Sequence, residues 1–98
     1  MNTDSLKQAI EVRRSVSFTY EDKPIRKASP HAVYYSTTGK LNLDAFQYDG
    51  YSKTGKLPDW RNFTLDKISH LQILAEKFEV ASGYKPHSIK YSRAICKI

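Results

Sequence analysis

Cysteine is almost missing from this chain. Cys96 stands alone, which excludes an internal disulfide and leaves no thiol framework for a zinc site. Its expected place is in a core, as a small apolar side chain. Long apolar runs are missing too. Nothing approaches the roughly 20 consecutive apolar residues of a membrane-spanning helix, and the first residues are polar where a signal peptide would be basic and then apolar. A cytoplasmic protein with no membrane partner is the expectation. His31, His70 and His87 lie far apart, without the His-x-x-x-His or paired-cysteine spacing of a metal site, so no metal and no cofactor is expected. Serines, histidines and aspartates occur without a nucleophile elbow, and the chain is read as non-enzymatic. Gly50 to Lys56 has the Gly-x-x-x-x-Gly-Lys form of a phosphate-binding loop, but Leu57 stands where that motif needs serine or threonine. No helix pattern follows it, and that reading is rejected.

Acidic residues are scarce relative to basic ones. Sixteen lysines and arginines against ten aspartates and glutamates leave a net charge of +6, which suits an anionic partner and equally suits mere solubility. Seven tyrosines accompany that surplus. Ring faces interleaved with cations fit single-stranded nucleic acid or a nucleotide, since bases stack and phosphates pair. Tyrosine also fills small β-cores without binding anything.

With 40% hydrophobic and 27% charged residues over 98 positions, the chain has the makings of one small folded domain. Residues 1–14 read as a leading helix, 15–74 as a β-barrel and 75–98 as a C-terminal extension. In the helix, Leu6, Ala9, Ile10 and Arg13 share a stripe, behind Asp4 or Ser5 as N-cap. Arg13 and Arg14 complement the helix dipole at its end. The period then changes to two. Val16, Phe18 and Tyr20 face one way, Ser15, Ser17 and Thr19 the other. A second strand from Ile25 to Thr37 is interrupted at Ser29 and Pro30, where the proline demands an edge, a bulge or a bend. His31 beside that distortion reads first as a satisfied hydrogen-bonding residue, with a metal ligand or a catalyst as the other reading. Leu41, Leu43 and Ala45 point inward in the third strand, and the apolar parity then switches to Phe46 and Tyr48. Residues 49–59 form a cationic, turn-rich loop. Phe63 and Leu65 mark a further strand, Asp66 and Lys67 an ion pair at its end, and Ile68 to Leu74 the last barrel strand. The tail carries a short helical turn leading to an edge strand with Ile95 and Ile98.

Several of these pieces resemble, in order and spacing, the WYL domains of bacterial transcription regulators. The helix with Ala9, Ile10, Arg13 and Arg14 is one piece, and the strand Val16-x-Phe18-x-Tyr20 is another. Pro30, His31, Ala32 and Val33 follow, and Arg61, Phe63, Leu65, Asp66, Lys67 and Ile68 close the set. The tripeptide that names the family falls on Leu41, Asn42 and Leu43, Thr64 replaces a signature arginine, and Lys67 replaces another. The resemblance implies a mainly β fold with a leading helix, an Sm-like, SH3-type barrel of about five strands. It also implies a ligand-sensing role toward single-stranded DNA, RNA or nucleotide-like molecules, and carries Tyr20, His31, Arg61 and Lys67 over as site residues. Lysine at 67 keeps charge but loses the arginine fork.

The expected function is therefore a non-enzymatic ligand-sensing module that binds single-stranded nucleic acid or a nucleotide-like anion. Arg61 and Lys67 would pair phosphates, Tyr20 would stack or hydrogen-bond, and His31 would donate to a phosphate or base edge. Lys53, Lys56, Tyr51 and Trp60 would extend the path. The alternative is a protein-interaction or homodimerisation module, docking a regulatory partner through a barrel edge or the Tyr51, Leu57 and Trp60 cluster.

Overall fold

The stripe of Leu6, Ala9 and Ile10 becomes helix α1 (Asn2–Val12) in the computed structural model, which describes residues 2–98. All three side chains are buried. Arg13 stops the helix by turning left-handed at φ +57° and donating from Nη1 to the Ile10 carbonyl at 2.9 Å, which satisfies an orphan acceptor of the last turn. The strands follow as β1 (Arg14–Tyr20), β2 (Arg26–Tyr35), β3 (Leu41–Gly50), β4 (Asp59–Thr64), β5 (Ile68–Lys77) and β6 (Ala94–Lys97). A one-turn 3-10 helix, Leu65–Lys67, joins β4 to β5, and another, Ile89–Tyr91, precedes β6.

The sheet is antiparallel and six-stranded, in the order β4-β3-β2-β1-β5, with β6 added to β2. Strand β2 is long enough for two partners along one side: β1 takes Arg26 to Ala28, and β6 takes Ala32 to Tyr34. Between these stretches lies a register shift at Pro30 and Ala32. Proline has no N–H to give a ladder, and it sits where the strand bulges.

The expected closed barrel is not what forms, because no ladder joins β4 to β5 and the sheet stays open among the described residues. Side chains bridge the gap instead. The Thr64 amide donates to the Tyr20 hydroxyl oxygen at 2.9 Å, and the Phe63 ring meets those of Phe18 and Tyr20 edge-on at 5.0 and 4.9 Å. Inside the curl, Val16, Phe18, Val33, Leu43 and Phe63 pack against the α1 stripe. Burying a side chain such as Phe18 completely is worth about 1.5–3 kcal/mol, so α1 holds its helical form through this contact more than through its own short length.

The C-terminal extension is part of the sheet. Beyond contributing β6, it lays Tyr84, Tyr91 and Ala94 over Ala32 and Tyr34 to make a second small core on the outer face of β2. Cys96 is half-buried in β6 and packs at the edge of the main core.

Candidate functional site

Antiparallel pairing brings the end of β1, the start of β2, the end of β3 and the starts of β4 and β5 to one end of the sheet. Tyr20, Arg26, Tyr51, Arg61 and Lys67 meet there by topology, although up to 47 positions separate them in the chain. At its centre is Arg26, only 5% exposed. Its guanidinium carbon lies 5.3, 5.2 and 5.3 Å from the ring centroids of Tyr20, Tyr51 and Phe63, within the range of cation–π attraction. The one hydrogen bond it makes among the described residues runs from Nη1 to Gln47 Oε1, at a long 3.4 Å, and its buried Nε has no partner. It forms no salt bridge to any described carboxylate. Burial, and secondarily the nearby Arg61 charge, pulls this guanidinium below its ordinary pKa.

Gln47 holds this arrangement in place. Fully buried, it donates from Nε2 to the carbonyls of Asp49 and Tyr51 at 3.2 and 2.8 Å while offering Oε1 to Arg26. The switch of apolar parity at Ala45 and Phe46, read as a bulge or as burial of both faces, comes out as burial of both faces, with Gln47 keeping the inner one. Leu43, Ala45 and Gln47 continue one buried face, and Phe46 lies against Trp60 at 5.5 Å. Next to it, Gly50 adopts φ +95°, and the Tyr51 amide donates to the Ile25 carbonyl at 3.1 Å.

Arg61 faces the same end as Arg26 but is already engaged. Its Nη1 donates to Asp59 Oδ2 at 2.9 Å, and its Nη2 to Ser52 Oγ, Thr54 Oγ1 and the Lys56 carbonyl at 3.0, 2.8 and 3.1 Å. Arg61 is thus the clasp of the 51–58 loop, which presents Lys53 and Lys56 to solvent. Lys67 is exposed and pairs with Glu21 at 3.4 Å, correcting the expected pairing with Asp66. Tyr20 is half-buried, its hydroxyl taken by Thr64.

His31 and Trp60 lie elsewhere. His31 is completely buried, with Nδ1 2.7 Å from the Ser29 carbonyl and Nε2 3.0 Å from the Ala81 amide. An amide can only donate, so Nε2 accepts, Nδ1 carries the proton and donates to Ser29, and the imidazole is neutral. Burial depresses its pKa accordingly. The expected contact between His31 and a ligand is therefore corrected, since both ring nitrogens are spent inside and the rings of Trp60, Phe78 and Tyr84 pack around it. Trp60 projects from the opposite face of β4 to Arg61 and donates from Nε1 to the Ser82 carbonyl at 2.9 Å. Tyr51 and Trp60 thus belong to different faces, and the expected docking cluster of Tyr51, Leu57 and Trp60 is divided between them.

The outer face carries its own polar hub at Asp44. Tyr34 and Asn62 donate to Oδ1 at 2.9 and 2.8 Å, and the Tyr91 hydroxyl and Lys90 ammonium to Oδ2 at 2.7 and 2.6 Å. Burial pushes this carboxyl upward, but the bonds from Lys90, Tyr91, Asn62 and Tyr34 together outweigh it and hold Asp44 below the usual carboxylate pKa. Burial first, and then the bond to Asp44, raises the phenols of Tyr34 and Tyr91. A pocket of about 300 Å³ opens beside the hub, between Trp60 and Asn62 on β4 and Tyr84, Lys85 and Lys90 of the tail.

Sequence reasoning missed Arg26, Gln47 and Asp44. The available signal was parity. Arg26 shares an inward face with Ala28, and Gln47 with Leu43 and Ala45, so each is a polar residue at a position where alternation calls for an apolar one. Among the described residues no group of three or more His, Cys, Asp and Glu side chains gathers to hold a metal ion, and no helix is long and apolar enough to cross a membrane. No protein-family model matches the chain, and neither does any curated protein.

Proposed function

We propose that this chain is a non-catalytic binding module for single-stranded nucleic acid or a nucleotide-like anion, acting in the cytoplasm as a sensing domain of the WYL type. The observation that carries the reading is the Arg26 guanidinium lying 5.3 and 5.2 Å from the Tyr20 and Tyr51 rings. Lys53, Lys56 and Lys67 lie at the same end of the sheet. Rings supply stacking surface for bases, and the exposed lysines supply a sequence-independent attraction for phosphates. Strand order supports the Sm-like, SH3-type assignment. A meander β1 to β4 with β5 returning beside β1, and a 3-10 turn between β4 and β5, matches the strand order such a barrel would have, although here the sheet stays open between β4 and β5.

The reading differs from the sequence expectation in its participants. Arg26 takes the central place that His31 was expected to share, and Arg61 acts by shaping the loop. Titration of a fluorescent oligothymidylate by anisotropy tests the proposal. Binding is expected at low salt, with log affinity falling by roughly 0.7 per phosphate contacted for each unit of log salt. Absence of binding at low salt would remove nucleic acid strands from consideration.

A further inference from the structure

Arg26 combines three properties that rarely coincide. It is only 5% exposed, and among the described residues it forms no salt bridge to a carboxylate and only one of its five N–H donors finds an acceptor, at 3.4 Å. An ionised group withdrawn from water without a counter-ion is costly, and the cation–π contacts of three rings offset only part of that cost. Gln47, itself fully buried, nevertheless holds the guanidinium in place and fastens the base of the Tyr51 loop. The chain thus maintains a fixed cation with donors that the described residues leave unused, beside the Tyr51 ring at the start of the 51–58 loop.

We infer that Arg26 is the recognition residue for a phosphomonoester, so that the module reads the phosphorylated end of a strand, or a mononucleotide, in preference to an internal phosphodiester. This rests on the binding reading above and specifies its ligand. An internal phosphodiester carries a single charge and is flanked on both sides by sugars, so it reaches a guanidinium recessed among the Tyr20, Tyr51 and Phe63 rings less readily than a terminal phosphate does. A terminal phosphate is narrower, carries close to two negative charges at neutral pH, and offers three oxygens to the planar arginine fork. The Tyr51 ring is the element that moves to admit it. Its backbone is anchored through the Ile25 carbonyl and Gln47, while its side chain is only half-buried. Once displaced, the ring is placed to stack on the adjoining base.

The test compares a 5′-phosphorylated oligothymidylate, the 5′-hydroxyl strand of equal length and inorganic phosphate, each on the full chain and on Arg26→Met and Arg26→Lys. The phosphorylated strand is expected to bind the natural chain roughly tenfold more tightly than the hydroxyl strand. Arg26→Met should abolish that preference in a protein that still folds by circular dichroism, since it removes an uncompensated buried charge while leaving Gln47 Oε1 without its donor. Arg26→Lys should retain part of the preference and carries the comparison should Arg26→Met fail to fold. Strands that bind alike, with a normal salt dependence, would overturn the inference and leave strand binding standing. Inorganic phosphate that raises the melting temperature in an Arg26-dependent way, with neither strand binding, would keep the phosphomonoester site and remove the strand. Failure of all three ligands to bind overturns both readings.

Discussion

The imidazole of His31 accepts the backbone N–H of Ala81 at 3.0 Å across 50 positions of chain, tying the start of the C-terminal extension to the bulge of β2. The carbonyl of His31 also accepts the Ile98 amide at 2.9 Å, so one residue fastens both ends of the segment that covers the outer face.

This contact makes stability sensitive to mild acid. The pKa of His31 is depressed below its ordinary 6.5 by burial, so below that pH the unfolded chain takes up a proton that the folded chain refuses. The stability of the folded state is complete above about pH 6.5 and falls as pH drops from there toward the depressed folded value. Urea unfolding on either side of pH 6.5 should show the loss, and His31→Gln should flatten it. A slope unchanged in His31→Gln would assign the effect to other groups. The substitution itself should cost about 1–3 kcal/mol at neutral pH by stranding buried backbone groups.

Asp44 should matter more than its ion-pair partner. Removing the carboxylate in Asp44→Ala leaves Tyr34, Asn62, Tyr91 and Lys90 without their shared acceptor and should cost about 3 kcal/mol. Lys90→Ala should cost under about 1 kcal/mol, since the Lys90 side chain is half exposed. Chemical denaturation of both variants measures the ranking, and equal losses would contradict it. With its folded pKa held below 3.8, Asp44 contributes stability that is present above that pH and is lost as pH falls through the depressed value, a window separate from that of His31.

Gly50→Ala tests the floor of the proposed site. A Cβ at Gly50 would lie 2.3 Å from the Ile25 carbonyl oxygen, on a backbone at φ +95°, so the chain must shift where Tyr51 is anchored. A loss of roughly 1–3 kcal/mol and weaker oligonucleotide binding are expected together. A variant as stable as the natural chain would show that the close approach to Ile25 is easily relieved.

Arg61→Leu should loosen the loop without unfolding the domain. The pair with Asp59 is exposed on the aspartate side and is worth about 0–1 kcal/mol, so the unfolding midpoint should move little. Amides of residues 52–56 should exchange faster in hydrogen-exchange mass spectrometry. Unchanged exchange there would mean that the bonds from Arg61 do not hold the loop.

Alternation and helical spacing alone located α1, β1 and the bulge at Pro30, because each of those signals lies within a few neighbouring residues: Leu6 with Ala9 and Ile10, Val16 with Phe18, a proline inside a strand. Three outcomes belonged to the tertiary structure. It buried His31 under the tail, left the β4–β5 seam to Tyr20 and Phe63, and set Arg26 among rings with no salt bridge to a described carboxylate. The physical reason is common to all three. Whether a polar group is exposed, paired or stranded depends on partners 20 to 50 positions away, and periodicity within a strand says which way a side chain points but not what waits for it there.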